Sequence, residues 1–174
     1  MNAMRKLIIF ICVTVVLIWG VSSPLQAQRT TFKSWMDYRT ITNRRSVQWD
    51  LQQRAITDEQ GLRRYVGRYD DLDMFMVAIG TGWGFSVGDT IYIELSSGKT
   101  ILAVVGDIKD DRHTCNDNIF TVINGCQLEF VVCARNLCPT VRRRGDVSFA
   151  GFDGYIMSII SWYEVHKGVA NEGC

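Results

Sequence analysis

The densest run of groups able to move a proton or hold a polar ligand is Gly106-Asp107-Ile108-Lys109-Asp110-Asp111-Arg112-His113-Thr114. Asp107 follows directly on the apolar run Ile101 to Val105. A carboxylate leaving a buried strand is partly stripped of water, which raises its pKa and suits it to general-acid work. Asp110, Asp111 and His113 follow closely, and each could orient a substrate or carry a proton. The same run also reads as an ordinary polar loop in which Asp107 caps backbone N–H groups.

Other motifs carry less chemistry. Gly80-x-Gly82-x-Gly84 follows an apolar run, but a phosphate cradle needs a helix N-terminus next, and Phe85-Ser86-Val87-Gly88 leads instead into a strand. These glycines fit a tight loop better than a nucleotide site. Arg144-Gly145-Asp146 spells an adhesion tripeptide, yet with Arg142 and Arg143 it reads as a solvated charge run. Cys133 and Cys138 are not spaced as zinc ligands, and only His113 and His166 could complete a set, so neither a metal nor a cofactor is expected.

Strand patterns position the polar run. Met74 to Ile79 is apolar, and Thr90 to Leu95 alternates, with Ile91, Ile93 and Leu95 on one face. Ser96-Ser97-Gly98-Lys99 then turns the chain into Ile101 to Val105, which predicts a hairpin. Leu128, Phe130 and Val132 alternate with Gln127, Glu129 and Val131, and Tyr155 to Tyr163 is rich in strand-favouring residues. Five or six short strands with a polar loop at 107–118 and a basic stretch at 135–145 suggest a small closed barrel. Upstream, Val47, Leu51 and Ala55 recur at spacing four behind Ser46, which predicts a short capped helix, with Trp35 and Trp49 as anchors.

The chain has 174 residues, 47% hydrophobic and 21% charged, which is globular composition and excludes a disordered or fibrous chain. A formal charge of +1 gives no support to bulk attraction for nucleic acid. Arg5 and Lys6 precede the uncharged run Leu7 to Val21, followed by Pro24 and Ala27. That order predicts an export signal over 1–27, cleaved after Ala27, or an uncleaved N-terminal anchor; in both cases the body is secreted or envelope-associated. Export permits disulfides. Five cysteines (Cys115, Cys126, Cys133, Cys138 and Cys174) would remain, an odd number that leaves at least one thiol free or bridged to a partner chain.

Met76-Val77-Ala78-Ile79-Gly80, Ser86-Val87-Gly88-Asp89-Thr90, Gly98-Lys99 and Val104-Val105-Gly106-Asp107 stand in an order that resembles double-psi β-barrels of the RlpA-like and 3D (three-aspartate) type. The chain also resembles exported proteins of Gram-positive bacteria, in which a D-x-K-x-D-x-H-T loop precedes a G-D-V-S-x-A-G-F-x-G segment. Here these are Asp107 to Thr114 and Gly145 to Gly154. The resemblance implies a mainly β fold, a six-stranded double-psi β-barrel over 69–165, with a short N-terminal helical arm over 28–68 and a tail at 166–174. Relatives with this barrel include peptidoglycan lytic transglycosylases, and Asp107 matches their catalytic aspartate. Asp111 and His113 would then be polar positioning groups, and Tyr92 or Trp83 a face for sugar stacking. The relatives' A-H-x-x-L-P-x-G-T histidine has no counterpart between Ala78 and Thr90, and their D-R-G-P and D-T-G-G signatures are missing. A non-catalytic module binding peptidoglycan or another envelope component is therefore the alternative, and a structural envelope role a third reading.

Overall fold

The computed structural model describes residues 32–67 and 72–170. The expected signal or anchor over 1–27 and the thiol of Cys174 lie outside the described residues. In chain order the elements are β1 (Trp35–Asp37), α1 (Val47–Arg54), β2 (Ile56–Thr57), β3 (Arg63–Val66), β4 (Asp73–Gly80), β5 (Thr90–Leu95) and β6 (Thr100–Lys109). There follow β7 (Thr114–Cys115), β8 (Phe120–Thr121), β9 (Leu128–Val132), α2 (Pro139–Arg144), β10 (Ile156–Ser161) and α3 (Trp162–Ala170).

The fold is mainly β, built on a mixed sheet of eight strands along the path β1-β9-β4-β6-β5-β10, with β3 on β4 and β2 on β3. β7 and β8 form a separate small ribbon. A closed six-stranded barrel is the sequence expectation; among the described residues the path ends at β1 and β10, and no pairing joins them. The residues expected as a helical arm over 28–68 supply α1 but also β1, β2 and β3, all paired into the sheet. Phe32 and Leu62, from that same stretch, are fully buried, so apolar burial ties it to the main body. The residues expected as a tail begin inside α3, which follows β10 directly.

β4 organises the sheet. Its outer edge is shared, with Phe75 opposite Arg64 of β3 and Val77 opposite Phe130 of β9. Its other edge runs parallel to β6. Residues facing one another across paired strands share a face. One face carries the main core: Val77, Ile79, Ile91, Ile93, Ile101, Ala103, Val105, Leu128 and Phe130. Phe130 sits at its centre, 4.7 Å from the Phe152 ring and 5.1 Å from Phe32. The opposite face carries a smaller cluster, Met76, Ala78, Val104 and Val131, covered by Leu51 of α1.

α1 starts where Ser46 accepts the Trp49 N–H at 3.1 Å, as its cap position predicts. Its inward residues are Leu51 and Gln52; of the apolar stripe expected at Val47, Leu51 and Ala55, Leu51 and Ala55 pack against the sheet and Val47 is exposed. Near the helix end, the buried Arg63 guanidinium donates to the Gln52 carbonyl and, at 2.8 Å, to Thr57 Oγ1. A cation on the last carbonyls of a helix complements its dipole and fixes α1 against the sheet. The Tyr38 ring covers the same guanidinium at 4.5 Å.

Candidate functional site

A single extra residue in β6 decides where the polar groups go. Val77 pairs with Val105 but Ala78 pairs with Asp107, so Gly106 is a bulge. Up to Val105, the odd-numbered residues of β6 face the main core. Without the bulge, Asp107 and Lys109 would continue onto that face. With it, Ile108 joins the core and Asp107 and Lys109 turn to the α1 side, opposite Ala78 and Gly80. Glycine is suited to the bulge because a Cβ there would stand 3.0 Å from Met76 Cε and 3.3 Å from Gln52 Nε2.

Glu129 of β9 pairs with Ala78 from the other edge. Asp107, Ala78 and Glu129 therefore form one row across three strands on one face, with Ala78 the small residue between two acids. Two strand spacings put the outer backbones about 9.5 Å apart. The Lys109 ammonium bonds Glu129 Oε2, and Ser34 donates its hydroxyl to Glu129 Oε1. Glu129 and Ser34 are buried, and Cys126 Sγ lies 3.7 Å from the same Ser34 hydroxyl. From α1, the Gln48 side chain hydrogen-bonds Asp107, and the buried Gln52 Nε2 has no hydrogen-bond partner. Burial pushes the Asp107 carboxyl above its ordinary range; the Ile108 N–H, the Lys109 charge and Gln48 oppose this without cancelling it.

Beside this row a pocket of about 360 Å³ is lined by Lys109, Arg112, His113, Thr121, Val122, Ile123, Asn124 and Glu129. Its floor is the Lys109–Glu129 pair. Its rim is mixed, with exposed Val122 and Ile123 beside Arg112, which is paired to Asp110 at 3.0 Å. The ribbon β7–β8 is seated by the two glycines at the end of β4. A Cβ at Gly80 or Gly82 would overlap the carbonyl oxygens of Asn118 or Asp117. Asn116, Asp117 and Asn118 all have positive φ (50°, 56° and 62°), a left-handed turn that Asn and Asp tolerate better than other side chains. The glycine motif is thus a docking point for backbone, in keeping with a tight loop.

The structure brings some of the sequence candidates together and separates others. Asp107 lies within β6, not after it, and His113 lines the pocket. Asp111 opens a short 3-10 turn and accepts from Thr81 Oγ1 at 2.6 Å. Trp83 packs against the main core, with its buried indole N–H unpartnered. Tyr92 pairs with Leu102, five residues before Asp107 in β6 and so about 16 Å away along the strand. Its ring is stacked on His166 of α3, which also stacks on Trp162 at 3.9 Å. Ser34, Gln48 and Glu129 were not marked by sequence. Only Glu129 left a trace: it is the one charge in a strand, Leu128–Val132, that is buried at every position.

Among the described residues no cluster of three or more His, Cys, Asp or Glu side chains is set to hold a metal ion. Cys115, Cys133 and Cys138 are free thiols, Cys115 exposed. Among the described residues no helix is long and apolar enough to cross a membrane. Comparison with known proteins gives no match to a family model, a curated protein or a solved structure.

Proposed function

We propose that this chain is an exported cell-wall protein that cleaves peptidoglycan glycan strands as a lytic transglycosylase, with Asp107 as its single general acid and base. The observation that carries the reading is the desolvated Asp107 carboxyl, turned to the α1 face within β6 by the Gly106 bulge. A carboxyl held above its ordinary range keeps its proton to higher pH, which suits it to protonate the leaving glycosidic oxygen. The resulting carboxylate then takes the proton of the muramic acid 6-hydroxyl as that oxygen attacks the anomeric carbon. The product is a 1,6-anhydro sugar, and no water is consumed. Ordinary glycosidases need a second working carboxylate. Here Glu129 is committed to Lys109 and Ser34, which favours the one-acid route. The same reading takes the mixed sheet as a double-psi barrel, supported by the parallel β4–β6 and β1–β9 pairings.

Digestion of purified peptidoglycan by the chain and by Asp107→Asn, with products read by mass spectrometry, tests the reading. Anhydro-muropeptides from the parent alone are expected. Hydrated reducing ends would replace it with a hydrolase, and Glu129 would become the second acid to test. A second reading, a binding module for peptidoglycan, is favoured by one observation. The pocket is lined by Lys109, Arg112, His113 and Glu129 but not by Asp107. Retention on cell-wall sacculi without any product would select it.

A further inference from the structure

We propose that the arginine face around α2 docks on an anionic lipid surface. Arg142, Arg143 and Arg144 are consecutive and exposed at the end of α2, and Arg135 and Lys33 are exposed beside it in sequence or space. Val141 alone of this helix is buried and anchors it. No carboxylate of the described residues pairs with these cations, whereas Arg39, Arg54, Arg64 and Arg112 each hold one. Asp146, the adjacent acid, is half-buried and accepts the Ser148 N–H at 2.9 Å. Arg144 lies 4.8 Å over the ring of Phe149, which is 51% exposed. Guanidinium groups around an exposed aromatic ring suit an anionic lipid interface: their charges are drawn to the headgroups and the ring sits at headgroup depth.

The occupant follows from where the chain enters the fold. Val147 N–H donates to the Phe32 carbonyl at 2.8 Å, and a Cβ on Gly145 would stand 3.3 Å from the Lys33 carbonyl. The first described residues thus run along the turn that ends α2. The uncharged run Leu7 to Val21 lies only eleven residues before Phe32. That connection spans at most about 40 Å. While the run occupies a bilayer, the arginine face is held near the headgroups, and tethering raises its effective concentration there.

The test uses the full chain sedimented with vesicles of phosphatidylcholine alone or with about a third phosphatidylglycerol, at low and high salt. The apolar run and Arg5 and Lys6 are the same in every variant, so differences between variants read the arginine face. Each arginine near an anionic surface contributes about fivefold, so R142Q/R143Q/R144Q is expected to lower the preference for anionic vesicles about a hundredfold at low salt. R54Q/R64Q is expected to leave it unchanged. R142K/R143K/R144K, which keeps the charge, is expected to retain most of it and guards against a folding defect in the glutamine variant. An unchanged preference in the glutamine variant, or its loss in the lysine variant, would overturn the proposal. So would equal arginine-dependent binding to a soluble DNA duplex at the same phosphate concentration, which would make the face a general polyanion site.

Discussion

The two faces of the sheet are made by the same strands and differ in almost everything else. On the main-core face, β4, β5, β6 and β9 present aliphatic side chains around a Phe32–Phe75–Phe130–Phe152 group whose rings meet at 4.7 to 6.2 Å. On the α1 face, the same β4, β6 and β9 start apolar, with Met76, Val104 and Val131, and turn polar one step later at Asp107, Lys109 and Glu129. Position relative to one bulge, more than residue composition, separates the core from the candidate site. Past Gly106 the core face gains Ile108 and the α1 face gains two charges.

The comparison breaks most severely at the aromatic centre. Phe130→Ala is expected to cost about 3–5 kcal/mol, because it removes a fully buried ring and leaves a cavity among three others. Chemical denaturation measures it; a cost under about 1 kcal/mol would mean that the core face is not the stabilising one.

On the α1 face the large effect is electrostatic. Lys109→Met leaves the buried Glu129 facing only Ser34 and is expected to cost about 3 kcal/mol. Adding Glu129→Leu should recover much of that loss, because a buried pair is replaced by apolar groups. A double-mutant cycle checks this, and simple additivity of the two losses would show that the pair is not coupled.

Gly106→Ala sharpens the boundary between the faces. Its Cβ meets Met76 Cε and Gln52 Nε2, both ends of flexible side chains, so about 1–2 kcal/mol is expected. Glycan release or sacculus binding should fall by more than stability does, as Asp107 loses its placement. Equal activity at matched stability would remove the bulge from the functional argument.

The smallest effect has the opposite sign. Burial raises the folded-state pKa of Asp107, so the native state binds more protons than the unfolded chain between the two pKa values. Stability therefore falls as pH rises from the ordinary Asp pKa to the raised one, and stays reduced above it. Asp107→Asn is expected to raise the neutral-pH melting temperature slightly and to change it least in acid. A variant that melts lower at neutral pH than the parent would show that the Gln48 and Ile108 hydrogen bonds outweigh desolvation.

Much of the sheet was legible along the chain. The Thr90 to Leu95 strand, the Gly98 turn and the following apolar strand are local features, fixed by alternation and by a glycine at φ 81°. The Ser46 cap was legible for the same reason. Asp107 was legible as a carboxylate at the edge of apolar sequence, but the bulge was not. Gly106 reads equally well as the last residue of a strand, and only the register against β4 shows that the strand continues to Lys109. Glu129 is not legible, because its partners, Lys109 and Ser34, stand 20 and 95 residues away in the chain. Nothing in the local sequence shows that Tyr92 stacks on His166 or that Trp83 packs against the main core.

Local sequence thus sufficed for β4, β5, β6, β9 and β10, the turn between β5 and β6, the capped helix and one acid poised at the end of an apolar run. Each depends on residues close together in the chain, where backbone preference and side-chain period act. Only the tertiary structure decided which face that acid occupies, which acid it shares a row with, and that the expected arm is part of the sheet. Those outcomes depend on register and on pairing between distant segments, and a single inserted residue reverses every side chain that follows it.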